Sequence, residues 1–168
     1  DRPVRVFLSY TRSSDEHANW VKSVGSFLRS HGVDARLDAW HLRPGMDVAQ
    51  WMCNEIDLAD RVLLFCDQVY AQKADRRHGG VGWEIRLVQG DLLQSQSENP
   101  DKYVPIVVNE SITAGTPGFL KSVYCLHWPA SKRDEAKRLE ELLEIVYRVQ
   151  EEAPPLGQRP SFVIGRSS

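Results

Sequence analysis

The sequence predicts an α/β domain built on a parallel sheet. Short apolar runs rich in β-branched and aromatic residues alternate with longer segments of helical periodicity along the whole length. That alternation implies right-handed βαβ units, with helices covering both faces of the sheet. A chain of 168 residues, 42% of them hydrophobic, suits one domain with a substantial core.

The elements follow in order. Val4-Arg5-Val6-Phe7-Leu8-Ser9-Tyr10 reads as a buried first strand. Ser13 with Glu16 forms a capping-box pattern, in which a hydroxyl and a carboxylate each take an orphan amide at a helix start. Trp20, Val24, Phe27 and Leu28 then recur at helical spacing, and His31-Gly32 closes the helix. Residues 33–38 alternate as a second strand, with Val33, Ala35 and Leu37 against Asp34, Arg36 and Asp38. A loop containing Pro44-Gly45 follows, and Asp47 caps a helix whose buried stripe is Val48, Trp51, Met52 and Ile56. Arg61-Val62-Leu63-Leu64-Phe65-Cys66 is the plainest buried strand. Val81, Ile85, Val88 and Leu92 mark another amphipathic helix. Residues 103–108 form a fourth strand, with Pro105 suggesting an early-strand or edge position. Residues 123–128 form a short fifth, and 131–151 a surface helix carrying Leu139, Leu142, Leu143, Val146 and Val149.

Five strands suit a flavodoxin-like three-layer sandwich of order 2-1-3-4-5. Such a sheet binds ligands beyond the carboxyl ends of its first and third strands, where the winding reverses. Residues 10–14 and the segment after Cys66 are therefore the expected site. Residues 1–152 make the domain, and the Pro- and Gly-containing stretch 153–168 reads as a linker to a further domain. The chain begins at Asp1 rather than Met, so the natural N-terminus is expected upstream.

Composition excludes several classes. With 21 Lys+Arg against 23 Asp+Glu, the formal charge of −2 gives no general attraction to nucleic acid or a membrane surface. No apolar run approaches the ~18 residues of a spanning helix, and no signal peptide is visible. Cys53, Cys66 and Cys125 are odd in number and widely spaced, which argues against a disulfide scaffold or zinc site and for a reducing cytoplasm. The five histidines show no ligand spacing, so no metal is expected; His17 reads as a solvated helix residue. Gly80-Val81-Gly82 lacks the third glycine of a dinucleotide fingerprint, no phosphate-binding P-loop is present, and Ser9 sits in no nucleophile elbow.

Glu84 is the informative acid. Val81, Ile85 and Val88 face the core, so Glu84 points sideways toward the rim of the crevice. A plain reading is an acid complementing the helix dipole; the functional reading is a carboxylate aimed into the site. Asp38, ending the second strand, and Asp67, following the third, are similar candidates.

Four segments in order resemble one family. Val6-Phe7-Leu8-Ser9-Tyr10 is similar to the opening box of TIR (Toll/interleukin-1 receptor) domains. Leu37-Asp38-Ala39-Trp40-His41-Leu42-Arg43-Pro44-Gly45 resembles their second strand and BB loop. Residues 59–66 are similar to the third strand, and Trp83-Glu84-Ile85 to the start of the next helix. The Asp-x-Trp-x-Leu-x-Pro-Gly run and Trp51 resemble the SEFIR branch as found in bacteria. The likeness spans residues 4–150. One departure is that many family members carry Trp or Cys a few positions before the glutamate, where this chain has Gly79-Gly80-Val81-Gly82 and then Trp83.

The resemblance implies two alternative functions. Many members cleave NAD+ to nicotinamide and ADP-ribose products, by hydrolysis or cyclisation, with an essential glutamate at the position of Glu84. Tyr10, Thr11 and Arg12 then align with the substrate-contacting loop, and Arg43 with a BB-loop contact. NAD+ is the substrate and no cofactor is needed. Nicotinamide leaves as a neutral base, so a carboxylate near the ribose that stabilises an oxocarbenium-like transition state is the main requirement. Arg12 or Arg43 would hold the pyrophosphate, and Tyr10 or Trp40 would stack on a ring. In this reading the domain is the effector of a bacterial anti-phage immune protein, activated when copies assemble, with a sensor domain C-terminal to it. Other members are non-enzymatic modules that build signalling assemblies, docking through residues 41–47 and the adjacent helix.

Overall fold

The computed structural model describes residues 2–75, 90–91, 98–109, 111–128 and 134–165. Five strands form one parallel sheet: β1 (Arg5–Ser9), β2 (Asp34–Arg36), β3 (Arg61–Cys66), β4 (Tyr103–Val108) and β5 (Leu126–Trp128). Their order is β2-β1-β3-β4-β5, the flavodoxin-like arrangement expected from the alternation. In β1 and β3, successive side chains leave opposite faces, and both faces are covered.

On one face, α1 (Asp15–Ser30) and α6 (Glu135–Val146) bury Val21, Val24, Leu28, Leu142 and Val146 against Val6, Leu8, Leu63, Phe65, Ile106 and Val108. On the other, α3 (Val48–Leu58) and α4 (Gln68–Asp75) pack Trp51, Met52, Ile56 and Tyr70 on Phe7, Val62, Leu64 and Val107. Short helical turns α2 (Asp38–His41), α5 (Ile112–Gly115) and α7 (Ser161–Ile164) complete the described chain, together with a 3-10 turn at Gly118–Leu120. None of the described helices is long and apolar enough to cross a membrane.

Several boundaries depart from expectation, each for a physical reason. The α1 cap is Ser14 rather than Ser13: Ser14 Oγ accepts from the His17 amide at 3.0 Å, while Ser13 turns to Asp67. The second strand stops at Arg36, and Asp38 opens α2 by accepting from the Ala39 amide at 2.7 Å, a local bond that competes with strand pairing. Val48 faces solvent and Glu55 takes a buried place on the α3 stripe. There the Glu55 carboxylate lies between Arg5 at 2.9 Å and Arg36 at 3.0 Å. Burial alone would pull the Arg36 pKa down, but Glu55 and Asp34 hold it above its ordinary value.

Pro105 lies within an internal strand, not an edge. The Val62 amide donates to Lys102 O at 2.7 Å, so alternation turns the Pro105 nitrogen away from β3, toward β5. Pairing with β5 begins one residue later, at Ile106 with Leu126, so the missing donor breaks no ladder bond. The fifth strand starts late because Val123 is held in a turn, its amide donating to Leu120 O at 3.0 Å. The last core helix ends at Val146, before Val149, because Arg148 adopts φ 56° and bonds Asp101 at 3.3 Å; Val149 is exposed. Residues 151–160 have no regular structure and are exposed, and the turn of α7 follows. The helix expected over 81–92 lies outside the described residues, except Gly90 and Asp91, which are helical.

Candidate functional site

The carboxyl ends of β1 and β3 lie side by side, with Ser9 in register with Leu64. The loops leaving them form the expected crevice. After β1 comes Tyr10, whose hydroxyl donates to Asp38 Oδ1 at 2.9 Å across the mouth of β2. Burial, then the Asp38 charge, pushes the Tyr10 pKa up to about 12, while neighbouring Arg12 pulls it the other way. Thr11 is buried, and its hydroxyl lies 3.4 Å from Asp67 Oδ1. Ser13 donates to the other carboxylate oxygen at 2.6 Å. Asp67 Oδ1 also accepts the Tyr70 amide at 2.8 Å, capping α4 as it leaves the crevice.

His17 corrects the expectation of a solvated residue. One turn into α1, its ring stacks on Trp20 with centroids 6.1 Å apart and lies 6.3 Å from Tyr10. Burial lowers its pKa, with Asp67 acting in the opposite sense. The two residues share a wall of a cavity of about 260 Å3, completed by Ser13, Ser14, Gln68, Val69, Val108 and Asn109. Asn109 occupies the left-handed region at φ 58°, a conformation its short polar side chain tolerates.

The turn at residues 43–46 follows from its sequence. Pro44 supplies the fixed φ of the second turn position and Gly45, at φ 94°, the positive φ of the third; the Met46 amide closes on Arg43 O at 3.1 Å. Arg43 is exposed on this turn. Trp40 packs inward over Gly25, where an added Cβ would sit 3.1 Å from the ring. Between this loop and β1 the space beside Tyr10, Asp38 and Leu42 is about 40 Å3.

The structure thus joins Tyr10 to Asp38 and Thr11 to Asp67, with Arg12 beside Tyr10, while Arg43 and Trp40 lie on the loop and turn beyond Asp38. Glu84 and Trp83 lie outside the described residues. Sequence reasoning missed His17 as a crevice residue; its spacing from Ser14 and Trp20 on one helical face was the available signal. Among the described residues no group of three His, Cys, Asp or Glu side chains could hold a metal ion. A larger groove of about 790 Å3 opens beside α6, near Arg61 and Tyr103, which begin β3 and β4, away from the crevice.

A family model described as TIR domain matches residues 6–143. Among solved structures, a prokaryotic SEFIR domain is 33% identical with TM-score 0.69, the match covering 85% of this chain and 98% of that one. A metazoan TIR-STING receptor from C. gigas, solved with 2',3'-cGAMP, shares the fold at 15% identity and TM-score 0.64, over 84% of this chain and 38% of that one. The SEFIR domain of interleukin-17 receptor B does so at 20% identity and TM-score 0.55, over 85% of this chain and 96% of its own. No curated protein sequence matches. The chain belongs to the TIR domain family and is SEFIR-like within it.

Proposed function

We propose that this domain cleaves the nicotinamide–ribose bond of NAD+, with Glu84 as its essential carboxylate. The observation that supports this reading is the polar crevice at the carboxyl ends of β1 and β3, where Tyr10, Asp38, Thr11 and Asp67 converge at the reversal of sheet winding. The segment carrying Trp83 and Glu84 follows α4, which departs from that end. In this mechanism NAD+ is substrate rather than cofactor. Glu84 stabilises positive charge developing on the ribose, nicotinamide leaves without needing a proton, and a closed pocket limits water. Arg12 and Arg43 bind the pyrophosphate; Tyr10 and Asp38 form the near wall, Thr11 lines the loop, and Trp83 supplies aromatic surface, while Trp40, packed inward over Gly25, supports the loop from behind. The ADP-ribosyl cation left behind is captured at C1′ either by one admitted water, which loses a proton and gives ADP-ribose, or by an adenine ring nitrogen, which gives the cyclic product. Assembly of several copies, driven by a C-terminal sensor domain during cytoplasmic anti-phage defence, completes the pocket.

A second reading has its own support. Met46 and Val48 are exposed beside the turn at 43–46, and the space between that loop and β1 is small. With a prokaryotic SEFIR domain among the similar structures, these features suit a non-enzymatic module that docks through residues 41–47. The deciding experiment is nicotinamide release from NAD+ by clustered wild type and Glu84→Ala. Release that the substitution abolishes supports the enzyme. Folded, clustered wild type without release supports the docking module.

A further inference from the structure

We propose that the cavity between His17 and Asp67 is a subsite for a vicinal diol, of the kind carried by a ribose ring. At about 260 Å3 it exceeds what one or two waters fill and falls just below the ~300–1,000 Å3 of pockets for drug-sized molecules. It suits one ring-sized polar group.

Its chemistry selects that group. An ionised carboxylate offers about four acceptor sites. Asp67 uses three: Tyr70 N and Thr11 Oγ1 on Oδ1, and Ser13 Oγ on Oδ2. The remaining site is on Oδ2, the oxygen facing His17 Nε2 at 3.7 Å, beyond hydrogen-bond reach. His17 Nε2 is buried without a hydrogen-bond partner among the described residues, and its side chain is only 10% exposed. Leaving such an atom unpaired is costly, and a ligand bonding it recovers that cost.

The neutral ring beside a carboxylate disfavours an anion at this spot. Two neighbouring hydroxyls satisfy both groups, one donating to Asp67 Oδ2 and the other pairing with His17 Nε2. Carboxylates hold ribose hydroxyls in the same way in dinucleotide-binding folds. Only the choice of ribose as the diol rests on the NAD+ reading; the pairing of the two groups does not.

The test titrates ribose 5-phosphate into the 15N-histidine-labelled chain and follows the His17 ring nitrogens, with 2-deoxyribose 5-phosphate as the control probe. A saturable His17 shift is expected, with at least tenfold weaker binding of the deoxy sugar. Asp67→Asn keeps an oxygen able to cap α4 and removes the second carboxylate oxygen, so a folded variant with tenfold weaker binding is expected. His17→Phe keeps an aromatic ring beside Trp20 without the nitrogens, and calorimetry should show the same loss. No saturable shift, or equal binding of both sugars as phosphate recognition alone would produce, overturns the proposal. Nicotinamide release is read separately: an inactive sample with the His17 shift fails the NAD+ reading and keeps the subsite, and an active sample without it does the reverse.

Discussion

Tyr10 and His17 show how single side chains couple the crevice to stability. The Tyr10–Asp38 bond joins the end of β1 to the start of α2, so Tyr10→Phe should lower unfolding free energy by about 1–2 kcal/mol in urea titration. Because burial raises the Tyr10 pKa from 10.0 to about 12, the folded state holds its proton where the unfolded chain loses it. Stability from this group is complete below pH 10 and falls as pH rises from 10 to 12, and Tyr10→Phe should flatten that alkaline limb. His17 titrates with the opposite sense. Its pKa is lowered by burial, so the unfolded chain binds the proton first as pH drops below 6.5 and stability falls with it. His17→Gln should remove part of that acid limb, measured as unfolding free energy between pH 7 and pH 5.

At the scale of elements, caps and one buried ion cluster decide where helices begin and how they sit. Ser14→Ala should cost ~1 kcal/mol by removing the acceptor for the His17 amide, whereas Ser13→Ala leaves that cap in place. Amide exchange at His17 separates the two variants, speeding up in Ser14→Ala and not in Ser13→Ala, whose loss is the bond to Asp67. Glu55 ties α3 to β1 and β2 through Arg5 and Arg36. Glu55→Ala strands two partly buried guanidinium groups and should cost about 3–5 kcal/mol in chemical denaturation. Restoring a neutral acceptor with Glu55→Gln should return part of it.

For the whole molecule, the two apolar layers close around β1, β3 and β4, and among the described residues none after 150 belongs to either. Ending the chain at Gln150 should therefore leave the unfolding free energy from urea titration within ~0.5 kcal/mol of the full chain, although it removes exposed Leu156 and Phe162. If the NAD+ reading holds, nicotinamide release per domain should rise steeply with concentration or induced clustering, since that reading has the pocket completed between copies. A constant rate per domain across a wide dilution series would remove that assembly requirement.

Local pattern alone determined the architecture. The β3 and β4 boundaries, the Asp47 cap and the Pro44-Gly45 turn follow from apolar runs and capping side chains, and the strand order is one that five alternating strands suit. The family pattern was legible for the same reason, since its segments are strands and turns with strong local signatures. Contacts distant in sequence decided the rest. Ser13 gave up capping to bind Asp67, 54 residues away. Arg148 ended α6 in pairing with Asp101, 47 residues away. Glu55 is buried only because Arg5 and Arg36 converge on it from two strands. His17 looks like any polar helix residue until the sheet brings Asp67 beside it. Periodicity records which face a residue occupies, but the partner that waits there is set by how the chain folds back on itself.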